Sequence, residues 1–282
     1  MSQLDSVLIT GCSAGGIGYE LALEFQRRGL HVFATARNPD KMKDLAEMPN
    51  VTLLQLDVAD QASITKAAAD LAETTGGKLR YLINNAGAQY VAPILDTPLA
   101  EAKKLFDINV FGVMLTCQAF APLLVAAGGC IVNVCSISGH LHTPWMGMYQ
   151  ASKAATEMMS ETLRLELLPL GVRVISLITG AVDTNIMKTS PKDTLPDTSY
   201  YKFKEAETAI SKLTSGNDGV KRTPREVFAK QVVGDILVGT TGKIWRGQIA
   251  FMVSILSKFM PASVLDSTLL GNSGLKGVSR KP

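Results

Sequence analysis

Short apolar runs and amphipathic stretches alternate along most of this chain. Ser6–Thr10, His31–Ala36, Val51–Asp57, Tyr81–Asn84, Cys130–Cys135 and Val172–Ile178 read as strands. They are near-continuous Val/Ile/Leu runs, which predicts a parallel sheet covered on both faces. Ile17–Arg28, Ala62–Thr74, Leu99–Ala127 and Met148–Leu168 have the periodicity of helices. Leu21 and Phe25 share one side of the first, and Gly29 stops it. The third is expected to bend near Gly112 and Pro122. Ile244–Ala250 is a candidate seventh strand. The pattern predicts an α/β class: a doubly wound parallel sheet of about seven strands, helices on both faces, right-handed crossovers.

From Asn185 to about Thr223 the alternation breaks down. Pro191, Pro196, Gly216 and Gly219 fall among polar residues, with a candidate helix at Tyr200–Leu213. So long an excursion reads as a lid or binding loop over residues 185–223. Thr223-Pro224-Arg225-Glu226 reads as a helix start, with Thr223 as N-cap, Pro224 at N1 and Glu226 at N3. Residues 251–270 form an amphipathic segment with Met252, Ile255, Leu256, Phe259 and Met260 on one side. It could cover the pocket, pair subunits or lie on lipid, with packing inside the protein or a dimer as the plainest outcome. There is no internal repeat or linker, so residues 1–282 are expected to form one domain.

Composition narrows the class. The chain is 46% hydrophobic and 19% charged, which suits a globular fold. A net charge of +3, with no basic run among aromatics, argues against a nucleic-acid partner. Cys12, Cys117, Cys130 and Cys135 have neither zinc nor disulfide spacing, and with three histidines no metal site is expected. They read as small apolar core residues in a reducing compartment. No signal or transit peptide is recognised before the first strand, so a cytoplasmic location is expected. No run reaches the roughly 18 apolar residues of a membrane span. The nearest, Ile249–Met260, is interrupted by Ser254, Ser257 and Lys258.

Candidate chemistry sits at the strand ends. Thr10-Gly11-Cys12-Ser13-Ala14-Gly15-Gly16-Ile17-Gly18 follows a strand and opens a helix, the context of a dinucleotide site. Glycines admit a pyrophosphate, and the helix N-terminus offers free N–H groups. After the second strand stands Ala36-Arg37, where an acidic residue would select NAD. A guanidinium there suits a 2′-phosphate, which points to NADP(H). The amides of Asn84-Asn85-Ala86-Gly87 suit turn stabilisation and cofactor contact about equally. Tyr149 and Lys153 share one helix face. A nearby ammonium lowers a phenol's pKa, so the pair is expected to act as a proton-transfer device.

These pieces, with Asp57, Asn109 and Ser136 in their order, resemble the short-chain dehydrogenase/reductase family from about residue 6 to 250. Ser136 lies thirteen residues before Tyr149, the family's usual interval. The resemblance implies a Rossmann-type fold, an NADP(H)-dependent oxidoreductase and a homodimer or homotetramer. It implies catalytic roles for Tyr149 as proton donor or acceptor, Lys153 as the group that tunes it and holds the nicotinamide ribose, Ser136 on the reacting oxygen, and Asn109 on a relay water. Ser138 is a rival for Ser136 at the wrong interval. Cofactor contacts implied are Gly11, Ser13, Gly15, Gly16, Ile17, Gly18, Arg37, Asp57, Val58, Asn85, Ala86, Gly87, Tyr149, Lys153, Gly180, Val182 and Thr184. Two departures stand out. The glycine loop has one extra residue, so Gly15 and Gly16 are expected to share one role. Thr179-Gly180 replaces the common Pro-Gly, which predicts a less rigid loop after the sixth strand.

The substrate is less legible. His140, Leu141, His142, Trp145, Met146 and Met148, with Ile186, Met187, Tyr200, Tyr201 and Phe203, suggest a roomy apolar pocket or lid-to-core packing. The histidines read as solvated loop residues or second-site acids. The Gly-Gly loop, the Ala-Arg-Asn segment and Ile244-Trp245-Arg246-Gly247 look like fungal 1-acyldihydroxyacetone-phosphate reductases. That resemblance implies a lipid ketone and contact with lipid droplets or the endoplasmic reticulum. Lys188, Lys192, Lys202 and Lys204 are then candidate phosphate contacts. Reductases of fungal secondary metabolism, acting on polyketide, terpenoid or alkaloid carbonyls, are the alternative. A non-catalytic NADP(H) sensor or scaffold is the alternative of another class.

Overall fold

The computed structural model describes residues 4–189, 195–276 and 278, and Lys192 lies outside them. Its first half runs β1 (Ser6–Ile9), α1 (Ile17–Arg27), β2 (His31–Ala36), β3 (Val51–Gln55), α2 (Gln61–Thr75), β4 (Tyr81–Asn84), α3 (Leu99–Phe106) and α4 (Gly112–Ala127). The second half runs β5 (Cys130–Ser136), α5 (Gly147–Leu167), β6 (Arg173–Thr179), α6 (Lys204–Ser215), α7 (Arg225–Leu237), β7 (Gly242–Arg246), α8 (Ala250–Phe259) and α9 (Ala262–Gly271). The strands form one parallel sheet in the order β3-β2-β1-β4-β5-β6-β7. Strand order reverses between β1 and β4, where such sheets open a ligand crevice at the strands' carboxyl ends.

Each face of the sheet buries its own core. Leu21 and Phe25 of α1 pack with Phe228 and Val232 of α7 against Val7, Ile9 and Val132. On the other face Ile64 and Leu71 of α2 and Phe120 and Leu124 of α4 pack against Leu8, Leu82 and Ile131. Alternate residues of one strand thus point into opposite cores, which is why the strands read as unbroken apolar runs. Asn84 and Asn133 are the exception. Asn84 Nδ2 donates to Asn133 Oδ1 at 2.8 Å, and Asn133 Nδ2 donates to Ser160 Oγ at 2.8 Å. Thr116 Oγ1 donates to Asn84 Oδ1 at 2.7 Å. This satisfied polar bridge ties α4 and α5 to the sheet directly below the crevice, so Asn84 has a structural role.

Several sequence expectations need correction. The bend in Leu99–Ala127 is a π-helical turn at Asp107–Phe111, just before Gly112, while Pro122 is accommodated inside α4. π-turns of this kind cluster at functional sites, and Asn109 lies in this one. By length and composition Leu99–Ala127, rather than Ile249–Met260, is the stretch able to cross a membrane. Here its Val113, Phe120 and Leu124 are core residues. Thr223 does not cap α7: the N-cap is Pro224 and the helix starts at Arg225. The Thr223 backbone is instead paired with Ala181 and Asp183, pinning the far end of the lid. Residues 251–270 are two helices separated by Pro261. The side carrying Met252, Ile255 and Phe259 faces outward in the single chain. Val253 and Ala250 are buried, whereas Phe251 is 73% and Phe259 79% exposed.

All four cysteines are buried free thiols. Burial pushes Cys12, Cys117 and Cys135 up to about 12 and Cys130 up to about 11, from an ordinary 9.0. Groups raised on folding contribute their full stability below the unfolded pKa and lose it as pH climbs toward the folded value. Each thiol then removes about 1.4 kcal/mol per pH unit in that window. Tyr149 acts in the same direction above 10. Lys153, lowered by burial, opposes them. The melting temperature is therefore expected to hold to about pH 8.5 and drop steeply above about pH 9. A thermal scan across that range checks this; a melting temperature flat to about pH 11 would contradict it.

Candidate active site

The glycine loop joins β1 to α1 at the crevice. Gly16 is the N-cap of α1 and no side chain caps it, so the first-turn N–H groups are left for an anion. Gly15 and Gly16 do not share one role. Gly15 sits at φ +77°, where a Cβ would run into the Asn185 amide group. Asn185 N donates to Gly15 O at 3.2 Å. The extra residue therefore makes the seat on which the lid starts. Ala14 N donates to Lys41 O at 2.8 Å, and Ser13 O accepts from Gly16 N at 3.1 Å.

The opposite wall of the crevice comes from the segment after β4. Thr10 Oγ1 accepts from Asn85 N at 3.0 Å and Ala86 N at 2.9 Å. Asn85 Nδ2 donates to Thr10 O at 2.8 Å and Gly11 O at 3.0 Å. The Asn85 side chain thus stitches the two loops, the turn-stabilising role of the two foreseen. Thr10 is a site-shaping residue that the glycine pattern alone does not single out.

On the adenosine side, Arg37 follows β2 with an exposed guanidinium. Asp57 Oδ1 accepts from Ala59 N at 3.0 Å, and Val58 is buried against Gly112. A cavity of about 300 Å³ is lined by Ser13, Ala14, Asp40, Lys41, Lys43 and Asp44. Lys41 and Lys43 were missed in the sequence because nothing there places them beside the glycine loop. An uncapped helix end, a glycine-lined loop and a cationic Arg37 fit a phosphorylated dinucleotide. Arg37→Ala is expected to weaken NADPH binding about tenfold and leave NADH nearly unchanged, because a charged hydrogen bond is worth about 1.5–3 kcal/mol. Titration with each cofactor checks this; equal losses would remove Arg37 from the 2′-phosphate contact.

The reactive side chains meet where β5 ends. Ser136 is its last residue, and its Oγ accepts from Ser138 N at 3.1 Å. Ser138 is thereby a support for Ser136. Tyr149, in the first turn of α5, is buried with Tyr90 and Leu105 beside the Ser136 hydroxyl. Lys153, one turn on, is buried and donates to Val134 O at 2.8 Å. Burial dominates and pushes Tyr149 up to about 12, and the partner that lowers it is Ser136. Lys153 is itself lowered by burial. Asn109 locks the next loop: its Oδ1 accepts from Ala88 N and its Nδ2 donates to Ala88 O, both at 2.9 Å. Its main-chain carbonyl accepts from Thr156 Oγ1 at 2.7 Å.

After β6 the backbone is stitched to residues 246–248. Gly180 N donates to Arg246 O at 2.8 Å, and Ala181 N and Gln248 N donate to each other's carbonyls at 3.0 and 3.1 Å. These hydrogen bonds tie down the backbone where the family's common proline is missing. Val182 is buried beside them, and Thr184 Oγ1 accepts from Ile186 N.

The lid and the C-terminal segment close on the loop between β5 and α5. Trp145 packs with Val91, Tyr201, Phe203, Ala206, Ala209 and Leu275. Its backbone is left-handed at φ +73°, a strained state for a bulky residue that costs about 1–3 kcal/mol. Trp145 O accepts from Ala92 N at 2.8 Å and Trp145 Nε1 donates to Ser273 O at 2.9 Å, which holds it there. Tyr200, expected to line the pocket, is 84% exposed. His142 Nε2 lies 2.6 Å from Asp266 of α9. His140 is no solvated loop residue: its ring packs at a tilt against Trp245 and faces Glu157.

Comparison with known proteins agrees with this geometry. The sequence profile of the short chain dehydrogenase family matches residues 5–195. The chain is 43% identical to short-chain dehydrogenase PC-15 of Penicillium crustosum over 92% of its length and 96% of that protein. It is 42% identical to an NADPH-dependent 1-acyldihydroxyacetone phosphate reductase of Schizosaccharomyces pombe over 69% of this chain and 67% of that one. A Burkholderia cenocepacia short chain dehydrogenase solved with NADP superposes with TM-score 0.74 at 26% identity, covering 95% and 98% of the two chains. The protein belongs to the short-chain dehydrogenase/reductase family. It is an oxidoreductase of that family and uses NADP(H).

Proposed function

We propose that the protein reduces a bulky apolar ketone to a secondary alcohol, with NADPH as reductant. The observation that carries this is the Ser136–Tyr149 hydroxyl pair, buried at the crevice beside an apolar wall that includes Tyr90, Met146 and Met148. Bound NADPH supplies the hydride. Ser136 accepts from Ser138 N, so its single proton is available to the Tyr149 oxygen and, with a ketone bound, can turn to the carbonyl oxygen instead. Tyr149 is protonated at neutral pH because burial holds its pKa high, so it is a ready donor to the nascent alkoxide. Lys153 brings a cation to the floor of the site.

The substrate of first choice is 1-acyldihydroxyacetone phosphate, supported by the Schizosaccharomyces pombe relative. One observation favours the second reading, an unphosphorylated polyketide, terpenoid or alkaloid ketone. Lys202 is already paired with Asp197, which leaves it less available to a substrate phosphate. Purified protein with NADPH should be offered both classes. Turnover of acyl-dihydroxyacetone phosphate alone supports the first. Turnover of polycyclic ketones with none of the lipid overturns it. In the same reading the enzyme is cytoplasmic and forms a homodimer or homotetramer. Its outward α8 side chains Phe251, Met252 and Phe259 rest on a lipid surface or a partner subunit.

A further inference from the structure

Glu157 is a buried carboxylate one helical turn beyond Lys153, with only 8% of its side chain exposed. Its Oε1 lies 2.7 Å from Lys243 Nζ of β7. Its Oε2 lies 2.7 Å from His140 Nε2, close enough for an ion pair though poorly aligned for a hydrogen bond. His140 ends the 3-10 turn Ile137–His140 that begins directly after Ser136. The His140 ring stands 4.8 Å from the Trp245 ring of β7. In the same turn a Cβ on Gly139 would come within 3.1 Å of Ala154 N and 3.3 Å of the Lys153 carbonyl carbon, so this backbone rests on the Tyr149–Lys153 helix. A buried carboxylate is costly unless paired, and this one takes its partners from two separate elements.

We propose that Glu157 is a positioning residue for Ser136. Through His140 it clamps the Ile137–His140 turn onto α5 and β7, and so holds the Ser136 hydroxyl against Tyr149. Burial raises the Glu157 carboxyl, but His140 and Lys243 more than offset that and keep it below its ordinary value, so Glu157 carries its charge at neutral pH. The inference rests on the carbonyl-reductase reading, and ketone reduction by the unaltered enzyme tests that reading separately.

The test is a double-mutant cycle with a readout besides turnover. Glu157→Gln keeps the shape and removes the charge. It is expected to lower kcat about tenfold to a hundredfold, since small misplacements of reacting groups cost that much, with KM for NADPH unchanged. In a Ser136→Ala background the same substitution should cost less than about twofold, because both act on one hydroxyl. Hydrogen exchange at the Ser138–His140 amides should quicken in Glu157→Gln while the amides of α2 keep their rates. Additive losses in the cycle, or unchanged exchange in the turn, overturn the proposal. Where Glu157→Gln does not fold, His140→Asn breaks the pair from the partly exposed side and faces the same criteria.

Discussion

Tyr149→Phe is expected to lower kcat for ketone reduction by about 10²- to 10⁴-fold, the range for a positioned general acid. The phenylalanine ring keeps the contacts with Tyr90 and Leu105, so folding and NADPH affinity should survive. Only the proton is lost. The reduction rate of the parent enzyme should not fall across neutral pH on account of Tyr149, because burial keeps the phenol protonated well above pH 7. Steady-state kinetics alongside NADPH titration separates the effects. A variant that binds NADPH and turns over normally would place the acid elsewhere.

Ser136→Ala carries the second-largest expected effect. Its hydroxyl accepts from Ser138 N and lies beside Tyr149, so its one proton can be given to the oxygen on which alkoxide charge develops. Removing such a donor costs about 10²- to 10³-fold in kcat. It also removes the one hydrogen bond that lowers the Tyr149 pKa, so the phenol should titrate higher still. Kinetics together with an ultraviolet titration of tyrosinate measures both. A loss confined to KM would make Ser136 a binding group only.

The parts legible in the sequence are those fixed by local spacing. Tyr149 and Lys153 share a helix face whatever surrounds them, and Ser136 ends a strand that its own apolar run announces. The glycine loop was readable because it lies between one strand and one helix. What stayed hidden depends on tertiary approach. Asn185 reaches Gly15 only in the folded chain, since β4 and β5 stand between β6 and β1 in the sheet and the segment after β6 has to return across their ends. Glu157 meets Lys243 and His140 only because β5, β6 and β7 are neighbours. Burial also reversed a local expectation: the Lys153 spacing suggested an acidic phenol, but desolvation of Tyr149 outweighs it. The outward side of α8 stayed open because hydrophobicity alone does not say whether an apolar side meets the chain's own core, a second subunit or lipid. Val253 and Ala250 find Cys135, Ile137 and Ile178; Phe259 finds nothing among the described residues of the core.

The most direct test of the account follows the hydride. NADPH carrying deuterium at the transferable position of the nicotinamide is supplied with a ketone panel, and products are read by mass spectrometry. The account predicts a secondary alcohol bearing one deuterium on the former carbonyl carbon, formed by the parent enzyme and nearly absent with Tyr149→Phe. Binding of NADPH without label transfer to any ketone, or transfer undiminished in Tyr149→Phe, would contradict it.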